Sequence, residues 1–394
     1  MVLFITVYIY KIQSFEKGCH SMSTFQENRD GYPLEGLADE EQETQIEENQ
    51  EDEDDDILPS RFSISVSRTD FDVEGIVKRL RNDDIYIPDF QRAYVWKPKQ
   101  ASRLVESLLL NLPVPGIFLA KDSQTNKLLV LDGQQRLISV KSFYEGKFPN
   151  SRTSFSLKGV HREFEGKKYE SLLDAERRQL DNSVLSATVI EPRDNNEESI
   201  YYIFERLNTG GTLLKPQEIR ACIFHGNFND LIGEMNNNEA WRNIFGNKEK
   251  NKKDQELILR FIALYFEGNN YKPSLKKFLN NFMNKNRQLN CYSQAKIEKA
   301  FIPTIEIINK CIGNKAFKGE KGFVPTFFEA VMVGIAKRLE SGNIENFDEF
   351  KKQYNTILSN KNFLAISVKI RDLTNEHNLK ERLRMATETF ADLQ

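Results

Sequence analysis

Two short polar clusters stand within apolar stretches of this sequence, and both carry residue types that suit phosphate binding. They are Pro88-Asp89-Phe90-Gln91-Arg92 and Asp132-Gly133-Gln134-Gln135-Arg136. The second cluster follows the apolar run 128–131 and precedes an apolar helical pattern, which indicates a strand passing into a helix. Such a junction presents unpaired backbone N–H groups and the positive end of a helix dipole. This is the local chemistry of a phosphate site.

The side chains of the second cluster fit that chemistry. Gly133 lets the backbone approach a ligand closely. Gln134 and Gln135 both donate and accept hydrogen bonds, and the Arg136 guanidinium can hold a phosphate through two parallel hydrogen bonds. Asp132 offers the oxygen ligands that Mg²⁺ prefers, or it positions an attacking water. The alternative is a tight turn in which Asp132 caps the helix and Arg136 forms a surface ion pair.

The first cluster places a second Gln-Arg pair beside aromatic residues. Gln91 and Arg92 are followed by Tyr94 and Trp96. An arginine between aromatic rings can stack on a base or hold one by cation–π contact. The alternative is an aromatic corner of the core with Arg92 exposed to solvent.

Hydrophobic periodicity predicts the elements that position these clusters. We expect strands at 62–66, 85–87, 116–120, 127–131 and 186–190, and helices at 73–80, 98–111, 171–181, 197–207 and from Pro216. The polar turn 122–126 joins the third and fourth of these strands and predicts a hairpin. Residues 146–170 predict a loop or a small β excursion. From about residue 227, helical spacing recurs at 255–266, 274–285, 294–310, 325–340 and 346–358.

The pattern predicts an α+β fold in which a mixed sheet domain precedes an all-helical one. We place the sheet domain at 57–226 and the helical domain at 227–394. Residues 1–56 predict a disordered acidic tail, because they contain too little apolar material to offset the entropy of ordering. Residues 1–21 are expected to be a misassigned start, since Met22 opens the polar stretch.

Charge is distributed unevenly along the chain. The formal net charge is -3, but residues 39–56 contain twelve Asp or Glu and no Lys or Arg, which leaves +9 on the remaining residues. A mildly basic folded part permits contact with a polyanion. Four scattered cysteines indicate a reducing compartment, and the apolar residues 2–10 are too short to span a bilayer. We therefore expect a cytoplasmic protein with no membrane partner.

Five motifs, in order and with the matching approximate spacing, resemble the N-terminal domain of GmrSD-type modification-dependent restriction systems over about residues 60–225. The motifs are Pro88–Trp96, Ser107–Leu109, Pro113–Pro115, Leu131–Leu137 and Phe204–Gly211. The resemblance implies a ParB/sulfiredoxin-like fold and the binding and hydrolysis of a nucleoside triphosphate together with Mg²⁺. It leaves the identity of the nucleotide open.

The resemblance also implies roles for individual residues. The phosphate-side centre would be Asp132, Gly133, Gln134, Gln135 and Arg136. Of these, Asp132, Gln135 and Arg136 would carry the catalytic step, and Asp132 would be the metal ligand. The facing contacts would be Gln91 and Arg92, and a third edge of the site would be formed by Asn208 and Gly210.

One feature of those restriction systems does not match. Their second domain is an HNH-type nuclease, which needs a histidine base and metal ligands grouped together. Here the histidines are His20, His161, His225 and His377, widely scattered, and His377 is expected on a surface helix. We therefore predict no nuclease in this chain and expect a nuclease or methyltransferase partner protein.

Two functional hypotheses follow. The first is an NTP-hydrolysing sensor or regulatory component of a bacterial restriction or phage-defence system. The alternative is a ParB-like DNA-binding or scaffolding module without NTP turnover, in which the positive charge contacts the phosphate backbone. A third hypothesis is a reader of modified bases in which Tyr94 and Trp96 hold a flipped base.

Overall fold

The computed structural model describes the chain in several stretches. These are residues 63–87, 94–122, 125–149, 151, 153–193, 198–207, 214–319, 322–369 and 372–394. The predicted acidic tail, 1–56, lies outside them.

A five-stranded mixed sheet forms the centre of the first part of the chain. Its strands are β1 (Ile64–Asp72), β2 (Ile85–Tyr86), β3 (Ile117–Lys121), β4 (Leu128–Asp132) and β5 (Val184–Pro192), in the order β1-β5-β3-β4-β2. Strands β3 and β4 form the predicted antiparallel hairpin, and β2 pairs with β4 in parallel. Because parallel strands run in the same direction, the carboxyl ends of β2 and β4 meet at one edge of the sheet.

Four helices cover one face of this sheet in two layers. They are α1 (Val73–Arg81), α2 (Pro98–Leu109), α3 (Gln134–Tyr144) and α4 (Asp174–Asp181). Val130 of β4 and Leu119 of β3 point into this side, beside Ile76 and Leu137. The outer layer joins α2 and α4 to α1 and α3 through a second apolar cluster that includes Phe143.

The opposite face of the sheet packs against the remaining helices. Leu129 and Leu131 alternate with Val130 along β4, so they point to this side, as a strand's period of two requires. They belong to one continuous apolar core with residues of the helices that follow β5. Those helices are α5 (Glu198–Leu207), α6 (Pro216–Ile223), α7 (Asn227–Met235), α8 (Glu239–Phe245), α9 (Lys253–Glu267), α10 (Leu275–Asn286), α11 (Gln294–Cys311), α12 (Pro325–Leu339), α13 (Phe347–Ser359), α14 (Lys361–Leu364) and α15 (Glu376–Phe390).

A buried ion pair joins the sheet to the helices. Asp122, in the turn between β3 and β4, bonds to the guanidinium of Arg287 just after α10, and both side chains are 4% exposed. The Thr125 amide donates to the same carboxylate at 2.8 Å, and Arg287 Nε donates to the His225 carbonyl at 2.6 Å. Burial by itself raises the pKa of Asp122, but the bonds from Thr125 and Arg287 outweigh it and lower that pKa.

A chain of buried charges links four of the later helices. Glu256 of α9 binds Arg220 of α6 at 2.9 Å and Arg260 of its own helix at 2.6 Å. Arg260 also reaches Glu329 of α12 at 3.2 Å, and Glu329 faces Arg382 of α15. Burial raises the pKa of Glu256, but the two arginines reverse this and bring it to about 2. The carboxylate is therefore ionised throughout the neutral range.

The fold-class prediction, a mixed sheet region followed by helices, is confirmed. The predicted helices match within a few residues, whereas α7, α8 and α14 were not predicted, and α15 was expected only as a surface helix at His377. Strand β1 is longer than expected, since its polar residues lie on an edge that pairs only with β5. Residues 146–170 contain one isolated bridge, Lys147 to Ser154, in keeping with the predicted β excursion. The domain boundary at 226 stays a prediction.

His377 is exposed on α15, as expected. None of the helices that the structure describes combines the length and the apolar character needed to cross a membrane.

Candidate functional site

The Asp132–Arg136 cluster lies at the junction of β4 and α3, as its sequence context predicts. Strand β4 ends at Asp132, Gly133 is the N-cap residue, and α3 begins at Gln134. The N-cap residue is therefore Gly133 and not the Asp132 that the turn interpretation required, and the Asp132 carboxylate bonds Arg136 instead. The positive end of the α3 dipole therefore lies beside Asp132, which is exposed to solvent.

Only glycine fits at the junction itself. Gly133 has a φ of +99°, which L side chains rarely adopt, and a Cβ there would lie 2.4 Å from Cγ2 of Ile117 in the neighbouring strand β3. The backbone is thus forced into a sharp turn against a packed side chain. This places Gln134, Gln135 and Arg136 in the first turn of α3.

Arg136 folds back onto the same turn. Its Nη2 donates to Oδ2 of Asp132 at 2.8 Å, with Arg136 14% and Asp132 50% exposed. The turn interpretation predicted an ion pair here, but the arginine is largely buried instead of lying on the surface. The pair orients the guanidinium at the helix N-terminus while leaving the carboxylate accessible to solvent.

Gln135 faces a different part of the chain. Its Oε1 accepts hydrogen bonds from the backbone N–H groups of Val95, at 3.0 Å, and Trp96, at 3.4 Å. These residues follow the first cluster, so Gln135 connects the two sequence motifs. Gln134 is half-buried, and its Oε1 has no hydrogen-bond partner among the residues that are described.

Ser139 completes this connection and was not predicted as part of the site. Its hydroxyl donates to the Gln135 carbonyl at 2.6 Å and, having a single proton, accepts from the Tyr94 hydroxyl at 2.7 Å. The only sequence signal was its position four residues after Gln135 on one helix.

The aromatic residues of the first motif pack against the core. The Tyr94 ring meets Phe148 edge to face at 5.5 Å, and Trp96 packs against the same apolar cluster. Burial raises the pKa of Tyr94, and the hydrogen bond with Ser139 lowers it only in part. This geometry favours the aromatic-corner interpretation over a base-stacking role for these two rings.

Four predicted site residues lie outside the described residues. They are Gln91, Arg92, Asn208 and Gly210. Their assignment as facing contacts and third edge stays a prediction.

Asp132 fits the requirement of a nucleotide-borne Mg²⁺. This ion is usually held by one or two carboxylates together with substrate phosphates and water. Within the described part of the chain, no three His, Cys, Asp or Glu residues group as a complete metal site. Asp132 would therefore supply one ligand and the triphosphate the others, and this stays a prediction.

The β4–α3 junction combines a helix N-terminus at Gly133, a largely buried Arg136 and an accessible Asp132. It lies within the region that matches a protein family. Residues 73–225 match the N-terminal domain of the GmrSD restriction endonuclease. The resemblance to the GmrSD N-terminal domain is thereby confirmed. The matched region includes both polar clusters and ends just after α6.

The chain is also similar to an uncharacterized protein of Methanocaldococcus jannaschii, with 31% identity over 103 residues. This match covers 20% of the chain and only 18% of the relative, so the chain spans about a fifth of that relative's length. Among solved structures, a Pnob8-like ParB-N domain is covered completely, with 84% of this chain, 11% identity and a TM-score of 0.20. A TM-score this low gives no support for a shared fold, so nothing is argued from this structure.

Proposed function

We propose that this chain is the nucleotide-binding and NTP-hydrolysing sensor or regulatory component of a bacterial modification-dependent restriction or phage-defence system. In this proposal the chain has no nuclease domain of its own, and a partner protein cuts the DNA. The observation that carries the proposal is the β4–α3 junction, where Arg136 is held at an uncapped helix N-terminus inside a GmrSD N-terminal domain match.

In this proposal the junction binds the phosphates on one side and the metal ion or attacking water on the other. The backbone N–H groups of the first turn of α3 and the Arg136 guanidinium bind phosphate oxygens. The half-exposed Asp132 carboxylate would hold the metal ion or orient the attacking water. Bound Mg²⁺ would neutralise charge on the phosphates during hydrolysis.

Phosphate release from purified full-length protein tests this proposal. We expect Arg136→Ala and Asp132→Ala each to lower the rate by about 10²-fold, the typical effect of removing one charge-stabilising group. The measurement is release of inorganic phosphate with each of the four common ribonucleoside triphosphates and Mg²⁺.

Arg384→Ala provides a matched control. Arg384 is also paired with carboxylates, but it lies on the exposed side of α15, far along the chain from the junction. The control should retain the wild-type rate. A wild-type rate no higher than that of Arg136→Ala would contradict the proposed function.

One observation favours the second candidate, a DNA-binding module. Exposed cations lie on α2 and on the segment 157–167 that packs beside it: Lys97, Lys99, Arg103, Lys158 and Arg162. We call this group the basic surface. None of the five forms an ion pair with a described residue, and the Lys158 amide donates to Ser102 of α2 at 3.0 Å. The carboxylates of Glu106 and Glu165 instead accept from backbone amides of that segment.

Charge reversal on the basic surface tests this candidate. If the surface contacts duplex DNA, the variant Lys99→Glu/Arg103→Glu/Lys158→Glu should reduce the slope of log affinity against log salt by about 3, since each phosphate contact contributes about 0.9. The measurement is a fluorescence-anisotropy titration with a short duplex at several salt concentrations.

The control reverses three exposed lysines elsewhere, in the variant Lys351→Glu/Lys352→Glu/Lys361→Glu. It changes the net charge equally and should leave the slope unchanged. Equal losses in the two variants would show that net charge alone governs the affinity and would remove the basic surface as a specific DNA contact.

A further inference from the structure

We infer that Gln135 is a positioning residue, whose side-chain oxygen holds the segment Tyr94–Trp96 against helix α3. This inference rests on the proposed function, because it assigns a role within the same site. It gives Gln135 a task different from that of Asp132 and Arg136, with which the sequence motif groups it.

The first argument is the use that the structure makes of the Gln135 side chain. Its Oε1 accepts from two successive backbone N–H groups, those of Val95 and Trp96. An amide oxygen accepts through two lone pairs, so these two bonds use its accepting capacity. A phosphate, which offers only acceptors to a neutral amide, cannot replace either N–H donor.

The second argument is that Gln135 is the partner of two successive backbone amides in this segment, while the Tyr94 and Trp96 rings pack against the apolar core. The Val95 side chain is 73% exposed and contributes almost no burial. Tyr94 is fixed through its hydroxyl to Ser139, and Ser139 in turn bonds the carbonyl of Gln135. Gln135 therefore anchors the segment through its side chain and its backbone at once.

The third argument concerns direction along α3. Gln135 and Arg136 are adjacent in the first turn, where successive side chains point about 100° apart around a helix axis. Arg136 returns to Asp132, whereas Gln135 reaches a segment 40 residues earlier in the chain. The two neighbouring side chains thus meet different parts of the chain.

Two substitutions at Gln135 test the positioning role. Gln135→Leu removes the acceptor for the amides of Val95 and Trp96, whereas Gln135→Glu keeps two acceptor oxygens for them. We expect Gln135→Leu to lose about 10-fold in phosphate release, mainly in kcat, because the segment is no longer held in place.

Amide hydrogen exchange in the nucleotide-free protein provides a readout that is independent of activity. In Gln135→Leu the amides of Val95 and Trp96 should exchange about 10-fold faster, and in Gln135→Glu they should stay near the wild-type rate. Gln100→Leu is the matched control, because Gln100 accepts from the Lys97 amide at 2.9 Å in the same stretch of chain. It should accelerate exchange of Lys97 and leave Val95 and Trp96 unchanged.

The inference is overturned if Gln135→Leu leaves exchange at the Val95 and Trp96 amides unchanged, or if Gln135→Glu accelerates that exchange as much as Gln135→Leu does. Should the wild-type chain release no phosphate, the proposed function fails, and the exchange rates of these two amides still decide whether Gln135 positions the segment.

Discussion

Gly133→Ala is expected to lower the free energy of unfolding by about 2–5 kcal/mol. Two costs combine: about 1–2 kcal/mol for an L residue at positive φ, and about 1–3 kcal/mol for forcing a methyl group into the packed side chain of Ile117. Both costs arise at Gly133, which has a φ of +99° and where an added Cβ would lie 2.4 Å from Ile117. Urea denaturation of wild type and variant measures the change.

The two costs can be separated by a control and a rescue. Gly146 also has a positive φ, +70°, but a Cβ there meets nothing within 4 Å, so Gly146→Ala should show only the backbone cost. In an Ile117→Ala background, Gly133→Ala should cost less than it does alone. If Gly133→Ala and Gly146→Ala destabilise equally, close packing at the junction is not what selects glycine there.

Arg287→Met is expected to destabilise the protein by about 3–5 kcal/mol at neutral pH. It leaves the buried carboxylate of Asp122 without its charged partner, which is the costly way to break such a pair. The double variant Asp122→Asn/Arg287→Met should cost clearly less, since no buried charge is left behind. A double variant as unstable as Arg287→Met alone would contradict this account.

The same pair predicts a pH dependence. In the wild type the pKa of Asp122 is lowered, so its contribution to stability is present above the unfolded-state pKa of about 4 and is lost as the pH falls below that value. In Arg287→Met, burial without the guanidinium should raise that pKa instead. The stability difference between the two proteins should therefore shrink between about pH 7 and pH 4, as followed by urea denaturation at each pH.

The sequence predicted the hairpin, the β4–α3 junction and the longer helices because their apolar periodicity is set locally. It missed α7 because asparagines surround its apolar residues and resemble a linker. There tertiary contacts, not local pattern, determine the helix.

The candidate site was predicted in its composition but not in its connections. The bond from Arg136 to Asp132 follows from their spacing of four residues, which the turn interpretation anticipated. The bond from Gln135 to Val95 does not, because sequence spacing gives no information on which side chains from distant segments face each other. The sequence prediction placed Gln135 and Arg136 in one phosphate centre, although in the structure these two neighbours bond different segments.

The sandwiching of the sheet between two sets of helices bears on how this protein can be divided. The family match stops at residue 225, yet the apolar core that covers Leu129, Leu131 and Ile190 runs on from α5 and α6 into the later helices. A fragment cut at the end of the match would leave part of this core open to water, and it would leave Asp122 without Arg287. The matched region and the folding unit thus have different limits.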